Sequence, residues 1–427
     1  MPKKFRPETI KKALFTTSAL NFISRCGGYL KNISIAALLG FTYETDAYFF
    51  ALGIIAIFSI FSGTISSVGV PWLTQARQKN ARSFAKAAAQ LLGFNVWLGG
   101  IITLVTLLVL PIVVNLFLLE NRLIFALILL VLFPTVALNF LYNYFGTVLQ
   151  AQRLFTIQTA AFSINSLAQF LLITTGLFVF RSIWVLPFST LLALVLAIAW
   201  QILFVYKHLR PDFRLDKRVK ELIRQFLVFA VLGATSTLYS VIDKAFASYL
   251  PTKSISALVY GALIAQLPLG IISLNSMFFT SISEKISWVT IRKFTLIALV
   301  ISLPYALVLA VIPEFLVDLI LGYGRFGGLD VQYTAQAVRY YALALPAFYL
   351  SDIFNNTLVV QKAFGGLFFV SSMNVILNVA ANYVFLFKFG LGLAGLVLAT
   401  AIVSYFSLFL QAGLVVYFSK TPRTVRQ

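Results

Sequence analysis

The first long apolar segment of the chain carries a stripe of polar and charged side chains at helical spacing. The stripe consists of Asn21, Arg25, Gly28 and Asn32, with Ser24 and Lys31 beside it. Steps of three and four residues place such side chains on one face of an α-helix. An arginine binds a phosphate through two parallel hydrogen bonds, and a lysine binds it as a point charge. The stripe therefore predicts a site for an anionic group; the alternative is a polar seam in which Arg25 pairs with another helix.

A later apolar segment contains the adjacent charged residues Asp243 and Lys244. Neighbouring residues on a helix point about 100° apart, so these two side chains do not form one tight pair. A lone charge inside a membrane costs roughly 2.5–3.5 kcal/mol, so at least one of them needs a partner on another helix. A pairing of Asp243 with Arg25 or Lys31 is one such arrangement. On this basis Asp243 and Lys244 are added to the candidate substrate-binding residues.

Three other charged residues are candidates for an ion site or for substrate binding. Asp352 is a candidate ion or proton site, and Arg339 precedes it in the same apolar segment. Their separation corresponds to about 20 Å along a helix, so they do not pair with each other. The alternative for Asp352 is a hydrogen-bonded contact between helices. Asp46 stands at the start of the second apolar segment, where it is either a helix N-cap or a further substrate-binding residue.

Patterns typical of enzymes are absent from the sequence. There is no phosphate-binding loop, and no histidine or cysteine pair has the spacing of metal ligands. The single histidine is His208 and the single cysteine is Cys26, which excludes a cysteine-based metal cluster and an internal disulfide. We therefore predict a protein that is not an enzyme and that uses no metal and no cofactor.

The composition indicates that these residues lie in a membrane. Hydrophobic residues make up 60% of the 427 positions and charged residues 11%, whereas a soluble chain needs about 25% charged residues to cover its surface. Apolar runs of about twenty residues recur, which is enough to cross a ~30 Å hydrocarbon core as helix. We expect an all-α polytopic membrane protein with about twelve transmembrane helices, at 13–40, 47–70, 87–117, 123–150, 154–179, 183–206, 221–250, 256–283, 294–320, 334–360, 364–387 and 391–419.

Positive charge is distributed unevenly between the two sides that these spans define. Of the 33 lysines and arginines, 24 lie on the side of the N-terminus, five lie on the opposite side and four lie within spans. Because cytoplasmic loops are enriched in lysine and arginine, the bias predicts that both termini are cytoplasmic. The net charge of +20 then follows from topology and from contact with anionic headgroups, and nucleic acid is not an expected partner.

The chain is organised as two lobes of six helices. The polar and basic segment 208–220 separates them, so we predict a first lobe at 1–207, a cytoplasmic linker at 208–220 and a second lobe at 221–427. Two six-helix lobes in the same orientation suit alternating access around a central cavity. We expect the protein to act as a monomer.

The two lobes are also similar in sequence. Gln152–Phe155 recurs 209 residues later as Gln361–Phe364, and Asn165 recurs at the same offset as Asn374. Each of the two four-residue segments marks the turn between the fourth and fifth spans of its half. Equal offsets at equivalent places indicate an internal repeat.

Several patches of the sequence share a pattern with one family of transporters. The patches are Ser24-Arg25 followed by Gly28, then Ala37–Gly40, Thr45–Phe49, Tyr260–Pro268, and Tyr323–Phe326 with Asp330 after it. In these patches the chain resembles the MurJ (MviN) lipid II flippases, and the resemblance extends over most of its length.

This resemblance implies a fold and a set of residue roles. The fold is that of the multidrug/oligosaccharidyl-lipid/polysaccharide exporters, and the cargo is an undecaprenyl-linked sugar pyrophosphate carried across the bacterial inner membrane. Arg25 and Lys31 stand where the family has cavity cations, and Asp46 matches its acidic residue at the second helix. The chain departs from the family at Ser59 or a close neighbour and at Ala262-Leu263, where the family has arginines. It also has about twelve spans, whereas the family has fourteen.

The resemblance favours a lipid II flippase whose partners are the undecaprenyl-linked glycolipid and the surrounding membrane lipids. Three alternatives remain open from the sequence. A flippase for O-antigen or capsule units and a cation-coupled multidrug exporter have the same expected fold. A polytopic glycosyltransferase or ligase belongs to a different class and would need an essential acidic residue in a long outer loop.

Overall fold

A computed structural model shows that the chain is α-helical throughout its described residues, with one short π-helical segment and no β-strand among them. The described residues are 10–117, 121–206, 209–214, 217–267, 278, 282, 287–361 and 363–420. The expected all-α class is confirmed. His208 lies outside the described residues, and so do positions 215 and 216 of the predicted linker.

Contacts between residues divide the chain into two compact units. The first unit is Met1–Leu39 with Tyr43–Thr237, and the second is Gly40–Thr42 with Leu238–Gln427. The second unit thus includes the three residues that connect the first two helices. The lobe boundaries expected at 207 and 221 remain a prediction.

Fourteen helices are described, and most coincide with an apolar run of the sequence. The first seven are α1 Ile10–Leu39, α2 Tyr43–Lys79, α3 Ala81–Leu116, α4 Arg122–Leu132, α5 Pro134–Ala151, α6 Phe155–Phe180 and α7 Val185–Val205. The others are α8 Lys217–Ala247, α9 Ser254–Ala265, α10 Trp288–Val311, α11 Pro313–Leu321, α12 Gly328–Val360, α13 Phe364–Tyr383 and α14 Gly392–Lys420. A π-helical segment, Val384–Lys388, continues α13.

Nine helical segments within the described residues are long and apolar enough to cross a membrane. Two more long helices, α1 and α8, are less apolar because each contains several polar and charged side chains. The short apolar helix α9 covers the start of the expected eighth span, and most of that span after residue 267 lies outside the described residues. The count of twelve spans therefore remains a prediction, while the multi-pass helical architecture is confirmed.

The two turns that the repeat relates have the same backbone geometry. In the first turn the N–H of Leu154 donates to the carbonyl of Leu149 at 2.9 Å, and in the second the N–H of Ala363 donates to the carbonyl of Leu358 at 2.9 Å. Both donors and both acceptors are separated by the offset of 209 residues that the sequence showed. Such i to i−5 bonds close a helix C-terminus, so the repeat extends from sequence to local structure.

The segment between the sixth and seventh spans is attached to helix α3. The N–H of Asp212 donates to the carbonyl of Ala89 at 2.8 Å. A methyl group added at Gly93 would overlap the backbone carbonyl of Asp212, so only a glycine at this position allows the two backbones to approach so closely. Phe94 packs edge-to-face against Phe226 of α8, with ring centroids 5.5 Å apart. The segment 209–214 is therefore held against helix α3.

We expect Gly93→Ala to release the segment 209–214 from helix α3, because the added methyl group displaces the Asp212 backbone. Overpacking of this kind typically costs about 1–3 kcal/mol. Limited trypsin digestion of the purified protein should then cleave faster after Arg214, which is exposed. Gly100→Ala is the matched control, since nothing lies within 4 Å of a Cβ built there. Equal cleavage rates for the two variants would show that the contact does not restrain the segment.

Candidate functional site

Helices α1 and α6 of the first unit run parallel and are joined by a seam of polar side chains. The bonded pairs are Thr16 with Thr156 at 2.8 Å, Ser24 with Ser163 at 2.8 Å, Lys31 with Gln169 at 3.1 Å, and Ser34 with Thr174 at 2.9 Å. The number of residues separating the partners is nearly constant along the seam, which requires the helices to point in the same direction. Interhelical hydrogen bonds of this type join helices in membranes, where lipid provides no partner.

Small residues let the two helices approach closely. A Cβ built at Gly27 would lie 3.1 Å from the side chain of Leu167. Ser24 is only 2% exposed, and its carbonyl accepts a bond of 2.5 Å from Ser166. Ser24, Gly27 and Lys31 therefore share the face that packs on α6. The sequence placed Ser24 and Lys31 beside the exposed stripe, because helical spacing shows which residues share a face but not which face is packed.

Lys31 is half-buried, and its ammonium group is held by a neutral side chain. Its Nζ donates to Oε1 of Gln169 at 3.1 Å. The other end of the Gln169 carboxamide, Nε2, donates to Oδ1 of Asn165 at 3.2 Å. A lysine has three N–H donors, and the contact with Gln169 uses one of them. Because Gln169 is neutral, this contact does not compensate the charge of Lys31, and it fixes the direction of the side chain from α6.

The predicted stripe occupies a different face of α1. Asn21 and Arg25 are exposed, while Gly28 and Asn32 are half-buried. The Arg25 guanidinium forms no hydrogen bond or ion pair with any residue that the structure describes. An arginine in a membrane-spanning segment faces a water-filled cavity or reaches toward the interface, and either position leaves it accessible to an anionic headgroup.

Asp243 is the centre of a buried polar cluster in the second unit. It is 7% exposed, and its Oδ1 accepts from Asn378 at 2.9 Å and from Asn382 at 2.8 Å. Its Oδ2 accepts from the hydroxyl of Thr400 at 2.9 Å. These donors lie on α13 and α14 of the same unit. The pairing of Asp243 with Arg25 or Lys31 remains a prediction.

The Asp243 cluster contains an acceptor that is not used. Oδ1 of Asn382 is buried and accepts no hydrogen bond from any described residue. Carboxylate, amide and hydroxyl oxygens are the ligands that hard cations prefer, so a proton or a monovalent cation fits this group. The cluster borders a cavity of about 360 Å³, whose lining includes Tyr239, Asp243, Lys244, Gln266, Tyr341 and Thr400. Lys244 and Asp243 thus both line this cavity.

The remaining predicted residues lie elsewhere in their units. Arg339 forms an ion pair of 2.8 Å with Glu314, and both side chains are about half exposed, at 49% and 53%. Asp352 is half-buried on the same helix, α12. Asp46 is 4% exposed and lies inside the first turn of α2, which begins three residues earlier at Tyr43. Its interpretation as the N-cap is therefore wrong, because the cap position precedes the helix.

Two of the patches that resemble the MurJ family meet in the second unit around Phe41, which directly follows a third patch, Ala37–Gly40. The ring of Phe41 lies 5.1 Å from that of Tyr260 and 5.0 Å from that of Phe326. The carboxylate of Asp330 accepts from the N–H of Phe41 at 3.4 Å and pairs with the ammonium of Lys253 at 2.8 Å. The segment Gly40–Thr42 is thus fixed in the second unit by aromatic packing and by one carboxylate. These patches have a structural role here.

Sequence analysis missed the neutral polar residues that join helices. One set bonds α2 to α5 and consists of Ser59, Ser62, Ser66, Asn139, Asn143 and Thr147. The other set contacts charged side chains. Gln169 contacts Lys31, and Asn378, Asn382 and Thr400 contact Asp243. The available signal was the recurrence of polar residues every four positions on otherwise apolar helices, as at 139, 143 and 147 and at 374, 378 and 382.

Comparison with known proteins places residues 35–420 of the chain in one family. A family model described as "Lipid II flippase MurJ" matches residues 35–420. A probable lipid II flippase MurJ from Buchnera aphidicola subsp. Acyrthosiphon pisum (strain APS) is 27% identical over 422 residues, covering 92% of this chain and 81% of the relative. A second from Buchnera aphidicola subsp. Baizongia pistaciae (strain Bp) is 24% identical, covering 81% of this chain and 72% of the relative.

Solved structures show the same fold. A lipid II flippase MurJ in an inward closed conformation superposes with a TM-score of 0.80 at 19% identity, covering 93% of this chain and 87% of that one. An inward-facing multidrug resistance transporter of the MATE family superposes with a TM-score of 0.75 at 14% identity, covering 96% and 99%. The structural likeness establishes the fold, and the match over 35–420 establishes that this chain belongs to the MurJ lipid II flippase family.

Proposed function

We propose that this protein is a flippase that moves lipid II from the inner to the outer leaflet of the bacterial inner membrane by alternating access. Membership of the MurJ family supports the cargo, and the many apolar helices support the membrane location. We propose that the protein acts as a monomer, without catalysis, and binds no nucleic acid. The candidate substrate-binding residues predicted from the sequence become proposals here, with Arg25 and Lys31 central among them.

The observation that carries the proposal is the pair of cations on α1, Arg25 and Lys31. Neither forms an ion pair with a carboxylate of a residue that the structure describes. A pyrophosphate carries about two negative charges, and bringing it into a low-dielectric region without partners is expensive. Arg25 can bind it through two parallel hydrogen bonds, and the two remaining donors of Lys31 can bind it as a point charge. The sugar then stays in water and the prenyl chain in lipid.

The Asp243 cluster supports a second part of the proposal, in which a proton or a monovalent cation drives the cycle. A carboxylate surrounded by two amides and a hydroxyl has no opposite charge in direct contact, and the unused oxygen of Asn382 provides one more ligand. Lys244 borders the same cavity. Asp352 on α12 and Arg339 remain alternative positions for this ion.

The multidrug exporters are the rival with the same fold. Their likeness to this chain, at 14% identity for the MATE transporter, supports the fold and does not identify a cargo. The two classes differ in the sign of the cargo's charge. A cationic drug needs anionic or aromatic partners, whereas the α1 cations favour an anion.

We expect Arg25→Ala to weaken the binding of lipid II by roughly tenfold or more, because a hydrogen bond between charged groups contributes about 1.5–3 kcal/mol. Arg25→Lys should keep part of the affinity. Native mass spectrometry of the purified protein measures binding of lipid II, of another undecaprenyl-pyrophosphate sugar and of a cationic drug.

Arg122→Ala is the control for this experiment, since Arg122 is an exposed arginine at the start of α4. Tight binding of the cationic drug that is indifferent to Arg25→Ala and Lys31→Ala would assign the protein to the multidrug exporters. Normal affinity of Arg25→Ala for lipid II would instead show that the stripe has only a structural role.

We expect Asp243→Asn to uncouple transport from its driving ion. The variant keeps the shape of the side chain, removes the charge and turns an N–H group toward the donors Asn378 and Asn382. Lipid II transport in proteoliposomes should lose its dependence on an imposed sodium or proton gradient. Asp318→Asn is the control, since Asp318 is exposed on α11. An Asp243→Asn variant that responds to the gradient like the parent protein would contradict the role of the cluster.

We expect the segment 209–214 to be cytoplasmic and the loop around Arg325 to face outward, as the uneven distribution of lysine and arginine indicates. Single cysteines replace Arg214 and Arg325 in a Cys26→Ser background, and both positions are exposed. An impermeant thiol reagent added to intact cells should label only the variant Arg325→Cys. Labelling of Arg214→Cys alone would show that the topology is the reverse of the one expected.

A further inference from the structure

We propose that Gln169 is a positioning residue that fixes the ammonium group of Lys31 for the anionic headgroup while leaving its charge uncompensated. This inference rests on the proposed function and adds a residue that the sequence did not indicate. Gln169 lies on α6, does not belong to the predicted stripe, and acts on the cargo only through Lys31.

The contacts of Gln169 use both ends of its carboxamide. Oε1 accepts from Lys31 at 3.1 Å, and Nε2 donates to Asn165 at 3.2 Å. Because Asn165 lies one helical turn earlier on the same helix, it fixes which end of the amide faces Lys31. The oxygen must then point to the ammonium group, so the direction of Lys31 is determined by two residues of α6.

A neutral partner has a consequence that a carboxylate would not have. Charged residues inside membranes commonly pair with an opposite charge, and such a pair has little net attraction left for a third ion. Gln169 provides a hydrogen-bond acceptor without a negative charge, so it does not neutralise the ammonium group of Lys31. Its remaining N–H donors can then bind a phosphate oxygen.

The second unit contains the same arrangement with the opposite charge. Asn378 lies 209 residues after Gln169, the offset that also relates Asn165 to Asn374. Asn378 donates to Asp243 at 2.9 Å, and Asp243 on α8 follows Lys31 by 212 residues. A carboxamide has both donors and an acceptor, so the same position in the repeat can hold a cation in one unit and an anion in the other.

Two substitutions of Gln169 distinguish a role in positioning Lys31 from a role in helix packing alone. Gln169→Glu keeps the contact with Lys31 and turns it into an ion pair. Asn165 can turn its carboxamide over and donate to the second carboxylate oxygen, so a purely structural seam would tolerate the change and thermal stability would be unchanged or higher. If Lys31 must remain an uncompensated cation, the same variant should bind lipid II roughly tenfold or more weakly, because a contact between charged groups is lost. Gln169→Met removes the acceptor at similar volume and should weaken binding less than Gln169→Glu does.

The measurements are thermal unfolding and native mass spectrometry of the full-length protein with lipid II and with farnesyl pyrophosphate. A stable Gln169→Glu variant with weakened binding of either probe supports the proposal. Binding equal to that of the parent protein by Gln169→Glu overturns it. If Gln169→Glu does not fold, Gln169→Met decides, and parental affinity of that variant overturns the proposal as well.

The use of two probes distinguishes failure of this inference from failure of the proposed function. If the parent protein binds farnesyl pyrophosphate but not lipid II, the assignment of lipid II as cargo fails, and the comparison of Gln169 variants is made with farnesyl pyrophosphate. If the parent protein binds both and the variants do not differ from it, the cargo stands and the role of Gln169 fails. Ser163→Ala is the matched control, since Ser163 bonds to Ser24 in the same seam without contacting a charge.

Discussion

A polar or charged side chain inside a bilayer must find its partner in the protein, because the hydrocarbon core offers none. In this chain the partners are supplied by neighbouring helices that run parallel. The seam between α1 and α6 and the seam between α2 and α5 both consist of short polar side chains at nearly constant separation. The packing of helices in the first unit and the direction of Lys31 therefore have a common cause.

Among the residues that the structure describes, some charges are held by an opposite charge and others by neutral groups. Arg339 with Glu314 and Lys253 with Asp330 are ion pairs, each at 2.8 Å, and each pair compensates its own charge. Lys31 contacts an amide, and Asp243 accepts from two amides and a hydroxyl. A charge held by neutral groups is positioned but still able to attract an ion of opposite sign. Compensated pairs stabilise the fold, whereas uncompensated ones are suited to binding.

The sequence predicted the helices well, because apolar length alone decides which segments cross a membrane. The expected spans at 154–179 and 364–387 correspond closely to helical segments Phe155–Phe180 and Phe364–Lys388. It predicted the site less well. Periodicity gave the stripe on α1 but did not show that Ser24 and Lys31 lie on the face packed against α6. The amide of Gln169 has no charge to mark it, and only contacts between helices distant in sequence show what it holds.

The repeat adds a physical reason why one fold accommodates transporters of different cargo. In both halves the amide on the fifth helix can accept from a cation or donate to an anion, because one carboxamide carries both functions. The equivalent carboxamides of Gln169 and Asn378 therefore hold charges of opposite sign on the first helices of their halves. Here the first half has Lys31 and the second has Asp243. The proposed function then assigns the anionic cargo to the first unit and the cationic driving ion to the second.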